Sequence, residues 1–396
     1  MQYLIAIAIA VFLYLFQSRY YRNHWSDGLT VDISYSRSHV HIGDTVELTE
    51  QITNRKKLPL PVLYVKFKTS RTFLYDTEEN AAISDYYYRN DAFSVLGNQH
   101  ITRKLKFCPS QRGYFTLDSV NLVVNDLFMQ KTYAGIRDNH AVLYVYPKLL
   151  KDRQSLLLTN SVIGDILTKD FYEDPLSFRG IRDYSNQDSM RVINWKATAK
   201  NGSLKVNTYF DSQNTSITLL LNLDTHTMQR MDILREYMIC STATLINSMI
   251  ARGFSIRLAA NAPDVLTGKP LFVETGAGNE HLQALFQGLA RLDLTKEFTD
   301  ISMFFEGENS VFEEKDKSTS YLLISNYRKE NLLSQCLEKQ QQGYSLYFIC
   351  PEFSSHCSET DFYVNQSRFS GKNRHIDPKN AVLLNTYFWE VTPDEA

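Results

Sequence analysis

The feature that most narrows the folds open to this chain is a change of hydrophobic period near Thr215. Before it, Leu29, Val31, Ile33 and Tyr35 alternate with polar neighbours, as do Val40 and Ile42, then Val46 and Leu48. Successive strand side chains point to opposite faces, so this alternation marks strands with one buried face. Gly43-Asp44 and the charged, proline-bearing stretch Asn54–Pro61 mark turns. Val62–Phe67, Ile101–Phe107, Tyr114–Leu117, Val120–Val124 and Ala141–Tyr146 continue the pattern with no helix between them. About seven strands in series predict an immunoglobulin-like β-sandwich. After Thr215 the pattern becomes strand, helix, strand. Ser216–Leu223 is a continuous apolar run, Met231–Arg252 an amphipathic helix closed by Gly253, and Phe254–Ala260 the next strand. Glu280–Leu292 and Lys329–Gln342 read as further helices, Tyr321–Ser325 and Tyr344–Cys350 as buried strands. Strands alternating with helices predict a mostly parallel sheet covered on both faces. The fold class is therefore α/β plus all-β.

The N-terminus adds a third element. Met1–Ser18 carries no charged side chain, and Tyr3–Phe16 is wholly apolar. As a helix the uncharged run reaches roughly 27 Å at about 1.5 Å per residue, near the hydrocarbon thickness of a bilayer. Tyr20, Tyr21 and Trp25 follow, interleaved with Arg19 and Arg22. Aromatic residues settle at the membrane interface, and cations on this flank place the bulk of the chain in the cytoplasm. No basic region precedes the run and no small-residue cleavage site follows it, so it reads as an uncleaved single-pass anchor in the cell membrane. The expected division is an anchor over 1–18, a sandwich over 28–150, a linker with a distinctive segment over 151–214, and an α/β domain over 215–396. Net charge is −2, which excludes a whole-protein field drawing the chain to nucleic acid or to an anionic membrane. The five scattered cysteines do not form a disulfide framework and suit a reducing compartment.

The distinctive segment runs from Asp174 to Phe210. Asp188 or Ser189 could cap a helix over Met190–Lys200, Asn201-Gly202 supplies a left-handed stop, and Leu204 and Val206 lead into a strand. From Arg179 to Lys205 six Lys/Arg face two Asp, with Tyr184 and Trp195 among them. Arg forks onto carboxylates and phosphates, and Trp and Arg anchor interfaces. The same composition also suits a solvated surface helix with one packed Trp, in which Val192 and Ala199 would help Trp195 seat on the sheet.

Gly180-Ile181-Arg182-Asp183-Tyr184, then Gln187-Asp188, then Arg191-Val192-Ile193-Asn194-Trp195-Lys196-Ala197-Thr198-Ala199-Lys200, resembles the signature of the bacterial family called domain of unknown function 58. Asp183 stands where that family usually has Glu, Gln187 where it has Gly, and Lys200 where it has Arg. Arg112-Gly113-Tyr114 and Asp126-Leu127-Phe128 also resemble family positions upstream. The resemblance implies a von Willebrand A-like C-terminal half, a membrane anchor and association with a MoxR-type AAA+ ATPase. It makes Gly180, Arg182, Asp183, Tyr184, Asp188, Arg191, Trp195 and Lys196 the candidate partner-binding residues.

In von Willebrand A domains the carboxyl edge of the sheet holds a divalent metal through a D-x-S-x-S motif, a Thr from another loop and a later Asp. This chain has Asp224-Thr225-His226-Thr227-Met228 there, so His226 and Met228 stand at the hydroxyl positions, and Ser325-Asn326 puts Asn where the second acid belongs. Mg²⁺ needs a near-octahedral set of oxygen ligands. The Asp224, Thr225 and Asn326 set is degenerate, and no cofactor is expected. No phosphate-binding glycine loop, nucleophile elbow or zinc pattern occurs. His39 and His41 are too few for a structural zinc, and Cys350, His356 and Cys357 lack a fourth ligand. The expected function is non-enzymatic: a membrane-anchored binding or scaffold protein working with the AAA+ partner in assembly or maturation of other proteins or envelope components. The alternatives are a metal-dependent ligand-binding module around Asp224, or an enzyme acting on an anionic substrate through the basic segment. The tip Asp85–Arg89, with three consecutive Tyr, is either a contact patch or a hairpin of amphipathic tyrosines.

Overall fold

The computed structural model describes residues 2–76, 81–170, 173–185, 190, 193–211, 216–225, 231–306, 310–312, 319–327, 330–353, 373–376 and 383–391. Two compact units divide at Lys148/Leu149.

The first unit opens with helix α1 (Gln2–His24) and continues through strands β1 (Leu29–Tyr35), β2 (His39–His41), β3 (Val46–Asn54), β4 (Leu60–Thr69) and β5 (Phe73–Tyr75). Strands β6 (Ala81–Ile83), β7 (Tyr87–Val95), β8 (Gln99–Pro109), β9 (Gly113–Asn125) and β10 (Thr132–Tyr146) complete it. They form a four-stranded sheet, β1-β3-β8-β5, and a six-stranded sheet, β2-β10-β9-β4-β7-β6. Pairing is antiparallel apart from the short parallel β2–β10 pair. The expected sandwich is present, with more strands than the alternation alone revealed. β5 and β6 are three residues each, too short for a periodic pattern to register. Val31, Leu48, Ile52, Leu63, Val65, Phe107, Leu122 and Val145 fill the space between the sheets.

A polar knot interrupts that core. Arg89 reaches Asp91 through Nε at 2.7 Å and Nη2 at 3.2 Å, and Arg103 Nη1 meets the same carboxylate at 2.9 Å. Burial, reinforced by the Asp91 charge, pushes the Glu50 carboxyl up to about 8. The alternation of β7 explains the three tyrosines: Tyr87 is buried, while Tyr86 and Tyr88 are exposed at 43% and 41%.

The second unit begins with helix α2 (Arg153–Asp170), strand β11 (Glu173–Asp183), helix α3 (Trp195–Asn201) and strand β12 (Lys205–Asp211). The α/β part follows as β13 (Ser216–Asn222), α4 (Met231–Ala251), β14 (Ser255–Pro263), β15 (Pro270–Gly276), α5 (Gly278–Ala290), β16 (Ser320–Ser325), α6 (Glu330–Gln341), β17 (Ser345–Phe353), β18 (Asn373–Ile376) and β19 (Leu383–Val391). Its sheet order is β15-β14-β13-β16-β17-β19-β18. The five inner strands are parallel, and β15 and β18 close the edges antiparallel. The chain thus steps one way from β13 to β14 and the other way from β16 onward, so the strand order reverses between β13 and β16. In open α/β sheets that reversal is where ligands sit.

The stretch over 151–214 holds more than a linker. Asp152 caps α2 by accepting from Ser155 N at 2.7 Å, and Val162, Ile163 and Ile166 are buried. Asp165 receives the hydroxyls of Tyr347, through its carbonyl, and Tyr387, through its carboxylate, which ties α2 to β17 and β19. Helix α4 is buried around most of its circumference rather than on one stripe. Its hydroxyls allow this, because Ser241 and Thr242 both donate to Met238 O, and Thr244 donates to Cys240 O.

Candidate functional site

Two regions of the second unit carry the residues that the sequence marks out. The first is the β11–α3–β12 segment. β11 and β12 pair antiparallel, with Gly180 opposite Thr208, Arg182 opposite Val206 and Asp183 opposite Lys205. Ile193 bridges to Val206, and both are buried, so the chain is still extended at Ile193. The helix therefore starts at Trp195, later than the Met190–Lys200 expected from composition. Its cap is Asn194, whose Oδ1 accepts from Ala197 N at 2.9 Å while its Nδ2 donates to Asn207 Oδ1 at 2.7 Å. Asn194 N donates to Lys205 O, and Lys205 N donates to Thr198 Oγ1 at 3.0 Å. Gly202 ends the helix at φ 70, the left-handed stop expected there.

These bonds lock α3 onto β12 and leave its outer face in water. Trp195 is 66% exposed, so the expectation that it packs the helix onto the sheet is corrected. Seven helical residues already held by the Asn194 and Thr198 side chains have no need of the indole as a clamp. Lys196 and Lys200 are exposed beside it, and among the described residues no ion pair is formed to either. Asp183 takes Lys205 Nζ at 2.6 Å, and that hydrogen bond and charge hold its carboxyl below the usual range. Arg182 donates from Nη1 to Asp183 O at 3.1 Å. Gly180 and Tyr184 are half-buried, and Tyr184 N donates to Leu204 O. Asp188 and Arg191 lie outside the described residues, as do Gln187 and Ser189.

The second region is the carboxyl edge at the strand reversal. Asn222 and Asn261 are fully buried there. Asn261 Oδ1 accepts from Leu223 N at 2.8 Å, and its Nδ2 donates to Asn222 Oδ1 at 2.8 Å and Asp224 Oδ2 at 3.2 Å. Asn222 Nδ2 donates to Ser325 Oγ at 3.0 Å, and Tyr327 N also donates to that oxygen. Asn326 turns its amide away, donating to Pro351 O at 2.6 Å. Asp224 and Asn326 thus serve the protein's own framework. Thr225 Oγ1 is buried without a hydrogen-bond partner. His226 and Met228 lie outside the described residues. Among the described residues no group of three or more His, Cys, Asp and Glu is placed to hold a metal ion.

No family model matches the chain, and no curated protein does. Among solved structures it is similar over part of its length to the CARDB domain of a Pyrococcus furiosus protein solved with di-metal ions. The identity is 14%, the match covers 30% of this chain and 88% of that one, and the TM-score is 0.20. A non-cellulosomal cohesin from Archaeoglobus fulgidus is similar at 10% identity, covering 29% of this chain and 91% of that chain, with a TM-score of 0.20. At these scores neither likeness carries an argument about what the chain does.

Sequence reasoning overlooked Asn194, Asn222 and Asn261. Asn194 stands inside the signature and three residues before Ala197, which is the spacing of a side-chain cap. Asn222 and Asn261 each follow an apolar strand run, and a lone amide ending such a run signals a buried polar tie.

Proposed function

We propose that this protein is a membrane-anchored, non-enzymatic binding or scaffold protein whose β11–α3–β12 segment meets a MoxR-type AAA+ ATPase. In this reading it acts in assembly or maturation of other proteins or envelope components. The observation that carries the reading is the exposure of Trp195 beside Lys196 and Lys200 on a helix whose backbone is fixed by other residues. A large aromatic held rigidly in water loses little conformational freedom on binding, and such residues dominate interface energies. The neighbouring ammonium groups suit an acidic partner surface. The family resemblance supplies the partner class.

Two further features support the same reading. The helix Tyr3–His24 is long and apolar enough to cross a membrane, and Arg19 and Arg22 on its C-terminal flank favour a cytoplasmic bulk. The doubly wound strand order of the α/β part is compatible with a von Willebrand A-like domain, and its amide-tied edge favours a scaffold over a metal-dependent binder. The test is affinity capture of the full-length protein from detergent-solubilised membranes. Wild-type protein is expected to bring down an AAA+ ATPase, and a Lys196→Ala, Lys200→Ala double variant to bring down much less. Equal capture by that variant, or no ATPase with wild type, would overturn the proposal.

A further inference from the structure

The β9–β10 hairpin ends in an unusual tip. Leu127, Phe128 and Met129 are consecutive and exposed at 49%, 59% and 63%. The turn is built rather than loose: Asp126 Oδ1 accepts from Gln130 N at 2.8 Å and Lys131 N at 3.3 Å, and Met129 N donates to Asp126 O at 2.9 Å. Met129 sits at φ 56, in the left-handed region where Gly or Asn would be easier. The chain therefore keeps a large apolar side chain at a position where the backbone disfavours one. Water gives no reason for that choice.

The tip lies against α1. The rings of Phe128 and Tyr14 are 6.3 Å apart, and Lys131 Nζ stands 5.8 Å from the centre of the Tyr14 ring. Tyr133 donates its hydroxyl to Ser18 O at 2.9 Å, and Tyr21 donates to Pro59 O at 2.6 Å. Among the described side chains of the helix, Tyr14, Gln17, Ser18 and Tyr21 are the covered positions, spaced i, i+3, i+4 and i+7 toward the sandwich. Leu13, Leu15 and Phe16 point outward and are exposed. Tyr14 precedes Ser18 by one turn, so the tip reaches roughly 6 Å past the end of the uncharged run, toward the apolar side.

We propose that Leu127, Phe128 and Met129 form a second, interfacial membrane anchor that inserts into the headgroup–acyl boundary beside α1. This rests on the reading of α1 as a membrane span. The occupant is lipid because the tip continues the exposed apolar surface of the helix and is rimmed by cations. Arg19 and Arg22 flank the span and Lys131 follows the tip, while Arg55 and Lys57 lie farther out, on the loop held to the helix end by Lys56, which donates to Trp25 O at 2.6 Å. Ammonium and guanidinium groups at that level meet anionic headgroups while the apolar tip enters the acyl layer. The tip gives the helix and the sandwich bonded to it a second membrane contact off the axis of the span, which limits how far the pair can tilt.

The experiment uses full-length protein in phosphatidylcholine–phosphatidylglycerol vesicles, with lipids brominated near the carbonyl end of the acyl chains as quenchers. Phe128→Trp retains an aromatic at an exposed position, and Tyr86→Trp is the control. Tyr86 adjoins Tyr87, which pairs with Thr69 at the end of β4 remote from Pro59, so it lies at the other end of the sheet. Emission added over wild type is expected to be blue-shifted and mostly quenched for Phe128→Trp, and unquenched for Tyr86→Trp. Retention of the chain in carbonate-washed vesicles, with Phe128→Trp emitting as in water, would overturn the second anchor and leave the span standing. Release of the chain by carbonate would overturn both.

Discussion

The strand-reversal edge around Asn261 and the outer face of α3 carry similarly polar sequences and end up in opposite states. At the edge, Asn222, Asn261, Asp224 and Ser325 spend their hydrogen bonds on one another across three strands. On α3, the polar side chains that fix the backbone are Asn194, Thr198 and Asn207, while Trp195, Lys196 and Lys200 are left facing solvent. The lesson is that a group already satisfied by the fold is poorly available to a ligand, and a group held in place but unsatisfied is available. Position at a favoured ligand-binding edge does not outweigh that difference.

The contrast can be broken most forcefully at Asn261. Asn261→Ala strips the partner from the buried Leu223 N–H and leaves Asn222 Oδ1 with only its 3.2 Å bond from Asp224 N. An orphaned buried group costs about 1–3 kcal/mol, so the variant should lose at least that much and melt clearly lower. A melt near wild type would show that the edge is wet and open to ligands. A milder probe is Asn194→Ala, which removes the α3 cap and should cost about 1 kcal/mol. Hydrogen exchange should report it as faster exchange confined to the Ala197–Gly202 amides. A third probe adds Mg²⁺ to the purified protein. A ligand at 100 times its dissociation constant raises stability by about 2.7 kcal/mol. No magnesium-dependent shift in melting temperature is expected, and a shift abolished by Asp224→Ala would reopen the edge as a metal site.

The sandwich offers a further comparison, because its buried polar knot contains a titrating group. Glu50 keeps its proton in the folded state up to about 8, whereas in the unfolded chain it loses it at ordinary carboxylate pH. Between those values the folded state binds more protons, so this group's contribution to stability is full at low pH and is lost as pH rises to about 8. Glu50→Gln should flatten that decline when melting temperatures are compared across the window.

Much of this architecture was legible in the residues. Period-two alternation announced most of the long strands of the sandwich, though not β7, and the strand–helix alternation after Thr215 announced the parallel sheet, because both are set by which face is buried. The short strands β5, β6 and β18 were not, since a few residues carry no period, and the inner strand β19 was also left unread. Helix α2 escaped because its apolar positions serve contacts to α4 and the sheet that local pattern does not reveal. At the candidate site the signature located the segment, and Gly202 located the helix end. The start was misplaced because a bridge from Ile193 to Val206, a tertiary pairing, holds the chain extended up to Asn194. The burial of Trp195 was misjudged for a related reason: composition shows that an indole is present but not that hydrogen bonds already do the clamping.

The smallest expected stability effect bears on the central claim. In Trp195→Ala, an exposed side chain is removed from a helix fixed by other residues, so the melting temperature should move by no more than the equivalent of about 0.5 kcal/mol. Affinity for the captured ATPase should fall by more than about 1 kcal/mol, roughly fivefold or more. A large drop in melting temperature, with affinity per folded molecule unchanged, would make Trp195 a structural clamp and contradict the account.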